Sequence, residues 1–325
     1  MPLSPTASGG LRGAAAMTML GCSTGVSAAF AGYPLLGGQA LRYLLAAGLL
    51  VPLALRAAPG ALRPTVREWG RLALLAATGL VGFNVLLVQA LRHSGPAAVG
   101  SVVGAAPLLM AVLGPLLAGR RPGRRAVVAA GVVAAGAATA QGFGAGDAVG
   151  TVLALGTLGC EVGFSLLAVP LLPRLGPVGV SAWVTVLAVP MFAGAAALLD
   201  GRAALRVPDG SELAALLYLA VLMTCVAFLL WYRALELLGP ERAGLFAGLV
   251  PITAALSGAA LGEGVPRAGE LSGAVLVGVG VFLGLRGRRP EPAGRSVPPS
   301  VGTGRTGDDG HAAVGAAAAG EPVAR

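Results

Sequence analysis

Ten apolar stretches, each near the length that crosses a lipid bilayer, limit what this chain can become. They lie near residues 13–32, 35–55, 70–91, 97–118, 125–141, 149–170, 178–199, 213–238, 241–262 and 268–286. A bilayer core takes roughly 20 apolar residues per helix. A single segment in lipid satisfies its own backbone only as a helix. The reading is an all-α integral membrane protein of about ten transmembrane helices. Composition agrees: 56% of the 325 residues are hydrophobic and 11% charged, where soluble domains average about 25% charged.

The chain also repeats itself. Gly95, Pro96, Gly100, Gly104, Pro107, Ala111, Gly114, Leu117 and Pro122 recur 144 positions later as Gly239, Pro240, Gly244, Gly248, Pro251, Ala255, Gly258, Leu261 and Pro266. Leu20-Gly21-Cys22, Gly25 and Ser27 recur 138 positions later as Leu158-Gly159-Cys160, Gly163 and Ser165. The expected units are residues 13–141 and 149–286, five spans each. Five is odd, so the second unit enters the membrane the other way up. This inverted-topology repeat is a common plan of secondary transporters. Residues 287–325, rich in Pro, Gly and Ala without apolar periodicity, read as a disordered cytoplasmic tail.

Charge sets the orientation. The net charge of +9 comes from Arg alone, since there is no Lys. With the N-terminus inside, the inner loops hold Arg56, Arg63, Arg67, Arg71, Arg120, Arg121, Arg124, Arg125 and Arg174, and Arg286, Arg288 and Arg289 follow the last span. The outer loops hold Arg92, Arg202, Arg206 and Arg267. That asymmetry follows the positive-inside rule and puts both termini in the cytoplasm, in a multi-pass protein of the plasma (inner) membrane. The aromatic interleaving of a nucleic-acid site is missing, so nucleic acid is not an expected partner. The expected partners are the lipid bilayer and a small-molecule substrate, and a homodimer is compatible with the sequence. Cys22, Cys160 and Cys225 fall inside apolar stretches and read as packing residues rather than a disulfide framework.

Polar residues inside spans are the candidates for function. Glu161 lies twelve residues into its span, about 18 Å deep at 1.5 Å per residue. A charge there faces a partner or a water-filled path. Thr157 and Ser165 share its helix face. A hydrogen bond to a neighbouring helix is the plainer reading of Glu161. Arg42, about 10 Å deep in the second span, has three outlets: Glu161, a substrate carboxylate, or snorkelling to the interface. Thr224, Phe228, Trp231 and Tyr232 share one face of the eighth span. Trp231 and Tyr232 read as a ligand lining or an interfacial belt, which their place near the helix end favours. Asn84 and Gln89 are polar residues in the third span, suited to helix–helix hydrogen bonds. Pro107 and Pro251 each remove a donor in mid-helix and predict kinks, either structural or lining a cavity. The GxxxG pairs Gly100/Gly104 and Gly244/Gly248 predict close helix approach.

No HExxH or GxSxG set occurs, and without lysine there is no Walker A motif. An enzyme is therefore not expected, nor is any cofactor or metal.

The layout resembles the EamA-type transporters of the drug/metabolite transporter superfamily. The resemblance rests on Ala234-Leu235, Gly239, Pro251, Leu261-Gly262-Glu263 and the glycines from Gly273 to Gly280 in the second half. The first half shows Ala90-Leu91, Ser94-Gly95, Pro107, Gly131 to Gly136 and Leu41-Arg42-Tyr43. Ala118-Gly119-Arg120 replaces the first-half counterpart of Leu261-Gly262-Glu263, so Glu263 has no partner acid. The resemblance implies a secondary carrier or facilitator that exports small metabolites, with a site at the midplane between the repeats. Multidrug or cation efflux is the alternative within transport. A non-transporting membrane scaffold or sensor is the alternative outside it.

Overall fold

The structure is a computed structural model. It describes residues 4–29, 32–57, 63–142, 147–199, 201, 206–260 and 267–286. Glu263 and the segment 287–325 lie outside the described residues.

Among the described residues all regular structure is helical. We number the helical runs α1 Pro5–Ala29, α2 Leu35–Ala57, α3 Val66–His93, α4 Pro96–Leu117, α5 Arg124–Gln141, α6 Ala148–Ala168, α7 Leu172–Leu199, α8 Gly210–Leu238, α9 Pro240–Ala260 and α10 Ala268–Leu285. Eight of them, all but α1 and α5, are long and apolar enough to cross a membrane. The helix α1 opens with polar and small residues, and α5 opens on Arg124-Arg125.

Several helices start before the apolar stretch does, because polar turns cap them. A capping box of Thr65 and Glu68 opens α3, and one of Asp209 and Glu212 opens α8. These two boxes stand 144 positions apart, so the duplicated register reaches the helix starts. The run α7 is broken at Gly176, whose φ of 64° lies in the left-handed region that only glycine enters freely.

Four helices carry paired irregularities. The helix α3 widens to a π-helix over Ala76–Gly82, and α8 does so over Leu219–Val226. The α-helix of α4 stops at Val103 and restarts at Ala106, one residue before Pro107. In α9 a 3₁₀ stretch, Gly244–Gly248, precedes Pro251. Each irregularity falls at matching positions of the two halves.

The packing pairs up in the same way. α1 packs on α8 and α9, while α6 packs on α3 and α4. α2 meets α8, and α7 meets α3. The pairs α2–α7, α4–α9 and α5–α10 join equivalent helices directly. The glycine pairs sit where α4 and α9 pack on α5. A Cβ on Gly104 would meet Ala137 at 3.1 Å, and one on Gly248 would meet Val133 at 2.4 Å. Backbones also approach closely between α5 and α10. There a Cβ on Gly136 would lie 2.9 Å from the Gly273 carbonyl, and one on Gly273 2.5 Å from the Gly136 carbonyl.

Two polar clasps tie the inter-helix segments. In one, Arg174 before the α7 kink donates from Nε to Glu68 at 2.6 Å, and its Nη2 reaches the Arg63 carbonyl at 3.1 Å. In the other, Tyr33 between α1 and α2 donates to the Arg206 carbonyl, and Arg206 pairs with Glu212. Arg120 pairs with Glu241 at 3.3 Å, and His93 with Asp147 at 3.3 Å.

Candidate functional site

Polar and aromatic side chains gather where α2 and α3 of the first half meet α6, α7 and α8 of the second. Arg42 is 9% exposed and so does not snorkel. Its Nε donates to the Thr224 hydroxyl at 2.8 Å and its Nη1 to Gln39 Oε1 at 3.4 Å. The guanidinium carbon lies 5.3 Å from the Tyr43 ring centroid.

Thr224 is prepared for that role by the π-helix. Its hydroxyl proton goes to the Leu219 carbonyl, five residues back, at 2.9 Å. The oxygen is then left with lone pairs, which accept from Arg42. Tyr43 stacks on Phe192 at 5.4 Å. Asn84 Nδ2 donates to the Leu80 carbonyl of its own helix at 2.7 Å.

The α6 face carries the second part of the site. Thr157 is buried and spends its proton on the Leu153 carbonyl at 2.9 Å. Ser165 accepts from the Trp231 indole N–H at 3.1 Å. Phe164, beside it, stacks on Tyr232 at 5.2 Å and packs on Phe228 at 5.0 Å. Between Thr157 and Ser165 stands Glu161, whose Oε2 is buried without a hydrogen-bond partner. Tyr232 is fully buried, and its hydroxyl too has no partner. Burial of Trp231 and Tyr232 corrects the interfacial-belt reading: both belong to the protein interior.

Among the described residues no cation lies within ion-pair distance of Glu161 and no carboxylate within that distance of Arg42. The direct Arg42–Glu161 pair, one outlet open to the sequence, does not form here. The structure thus brings Arg42 together with Thr224 and Tyr43, and Ser165 with Trp231, while Glu161 stays apart from Arg42. Pro107 and Pro251 stand beside helix breaks rather than in this cluster. Sequence reasoning missed Gln39, Phe164 and Phe192. Gln39 was within reach, since it stands three residues before Arg42 on the same helix face. Among the described residues no group of His, Cys, Asp and Glu has the makings of a metal site.

A bundle of long apolar helices around an enclosed polar and aromatic centre defines a multi-pass helical membrane protein. More particularly, the chain belongs to the EamA-like transporter family, whose model matches residues 9–140 and 149–286. It is similar to "Uncharacterized transporter YetK" of Bacillus subtilis (strain 168), 25% identical over 259 residues, which cover 77% of this chain and 78% of that protein. It is also similar to "Uncharacterized transporter YdeK" of the same organism, 30% identical over 195 residues, or 58% and 66% of the two chains. A solved crystal structure shares its fold, with TM-score 0.74 at 20% identity, covering 86% of this chain and 97% of its own. The family and the names of these relatives indicate a membrane transporter rather than an enzyme.

Proposed function

We propose that the chain is a secondary carrier or facilitator that exports a small metabolite across the plasma (inner) membrane. In this reading ten spans form two inverted five-helix repeats, and both termini are cytoplasmic. The observation that carries it is the buried centre: Arg42 without an acid, Glu161 and Tyr232 with unused polar atoms, at the meeting of the two halves. Ionisable groups left in this way in a membrane interior are costly and mark solute or ion paths. The matched capping boxes, π-helices and helix breaks support the duplication. So does the exchange of helix contacts between halves, and inverted repeats bind substrate at their interface.

The test is flux through purified protein in liposomes against a panel of metabolites and cationic dyes, with both membrane orientations resolved. The expected result is saturable outward movement of a metabolite. Movement of dyes alone favours cation efflux, for which the unpaired Glu161 is the fitting anchor. Folded protein that moves nothing faster than empty liposomes removes the transporter reading and leaves a scaffold or sensor.

A further inference from the structure

A buried arginine in lipid needs a counter-charge, and this one has neutral companions only. Thr224 holds the Nε side of the guanidinium at 2.8 Å. Gln39 touches Nη1 at 3.4 Å, a long contact, and Nη2 donates to none of the described residues. The Thr224 bond fixes the plane of the fork, and the Tyr43 ring at 5.3 Å flanks it. The Nη1–Nη2 edge is therefore oriented and only partly spent: Nη1 makes one long bond to Gln39, and Nη2 donates to none of the described residues. That edge matches two oxygens of one carboxylate, which form parallel, charge-assisted bonds with a guanidinium.

The surroundings fit an organic anion better than a bare ion. Phe192 stacks on Tyr43, and Phe228 and Tyr232, one and two turns beyond Thr224 on α8, pack on Phe164 of α6. Tyr232 adds a buried hydroxyl with no partner. Deep apolar walls with a few fixed polar groups are how small-molecule sites are built. Resting on the transporter reading, we infer that the exported solute carries a carboxylate, which the Nη1–Nη2 edge of Arg42 binds. Thr224, held by its π-helical turn, positions that arginine. Arg42 is the specificity residue, and Glu161 lies outside this contact.

The inference is read by binding, separately from flux. Purified full-length protein in detergent is titrated with acetate, pyruvate, benzoate and phenylalanine, each beside its amide, and the thermal midpoint is followed. At least one acid raises the midpoint and its amide does not. Arg42→Lys keeps the charge but loses the fork, and weakens acid binding about tenfold or more. Arg42→Gln abolishes the acid–amide difference. Thr224→Ala, which leaves the arginine in place but unanchored, weakens acid binding while the amides stay without effect. The inference is overturned if no acid shifts the parent protein, if acid and amide shift it equally, or if Arg42→Lys and Thr224→Ala both bind acids like the parent. Should flux be found for solutes without a carboxylate, untouched by excess acids, the transporter reading stands and the carboxylate site falls.

Discussion

Tyr232 holds its hydroxyl in the protein interior with nothing to bond to. An unpaired buried hydroxyl costs about 1–3 kcal/mol in lost hydration. Tyr232→Phe keeps the ring on Phe164 and removes that cost, so the thermal midpoint of ligand-free protein should stay level or rise. If the hydroxyl serves the solute, the same variant raises KM. A lowered midpoint would instead mean that the hydroxyl has a structural partner. Ser165→Ala is the opposite case. It strips the acceptor from the buried Trp231 indole N–H and should lower the midpoint, by about 1–3 kcal/mol of stability. Glu161→Gln has nearly the same shape and no charge to exchange. If Glu161 carries a coupling proton, the Gln variant loses the response of uptake to an imposed pH gradient while substrate exchange remains measurable. Full gradient-driven uptake by that variant would make Glu161 a structural acid.

At the scale of helices, the two clasps make the most direct prediction. Glu68 and Glu212 are the third residues of α3 and α8, and each takes an arginine as well as capping its own helix. A cavity of ≈ 460 Å³ opens next to the Arg174 clasp, lined by Val169, Leu172, Pro173, Arg233, Glu236 and Pro240. If the clasps act as opposed gates, Arg174→Ala should speed thiol labelling of a cysteine placed at Val169, and Arg206→Ala should slow it. Equal effects would show that both arginines serve stability alone. Outside the spans, Asp147 caps α6 through the Gly150 N–H at 2.6 Å, which holds its carboxyl below the usual 3.8, with His93 adding to the effect. A depressed carboxyl stabilises the fold above its unfolded value and loses that contribution as pH falls through the folded one. Midpoints followed below about pH 4 should therefore drop less for Asp147→Asn than for the parent, because an amide oxygen still accepts from Gly150. These elements were only partly legible in the sequence. Apolar length marked the spans, and the proline register marked the breaks in α4 and α9. The capping boxes were readable as Thr65 with Glu68 and Asp209 with Glu212, but an apolar ruler starts after them. The π-helices were not readable, because one extra residue in a turn leaves an all-apolar pattern unchanged. With them went the bond from Thr224 to Arg42, since i→i−5 spacing is invisible to a 3.6-residue period. That Arg42 and Glu161 stay apart depends on how α2 and α6 sit in the bundle, which spacing within either helix does not encode.

For the whole molecule, the decisive quantity is which way up each half lies. Helices α5 and α10 meet backbone to backbone at Gly136 and Gly273, and α2–α7 and α4–α9 also join equivalent helices. In the proposed inverted repeat, contacts of this kind would fall on a two-fold axis relating the halves. With the five spans per half proposed above, that axis would lie in the membrane plane, and the arginine distribution supports the same reading. Arg120, Arg121, Arg124 and Arg125 follow the fourth span, while Arg267 alone marks the matching junction before α10. The expectation follows from the positive-inside rule: the first junction is cytoplasmic and the second faces out. Replacing Cys22, Cys160 and Cys225 leaves a background in which single cysteines at Gly123 and Arg267 can be labelled by a reagent that does not cross the membrane. Gly123→Cys should react only after the cytoplasmic face is opened, and Arg267→Cys in intact cells. Labelling of both from one side would end the inverted-repeat reading. It would also remove an exchange of conformations between inverted halves as the route by which the Arg42 centre reaches opposite faces, and leave the rocking of two parallel halves in its place.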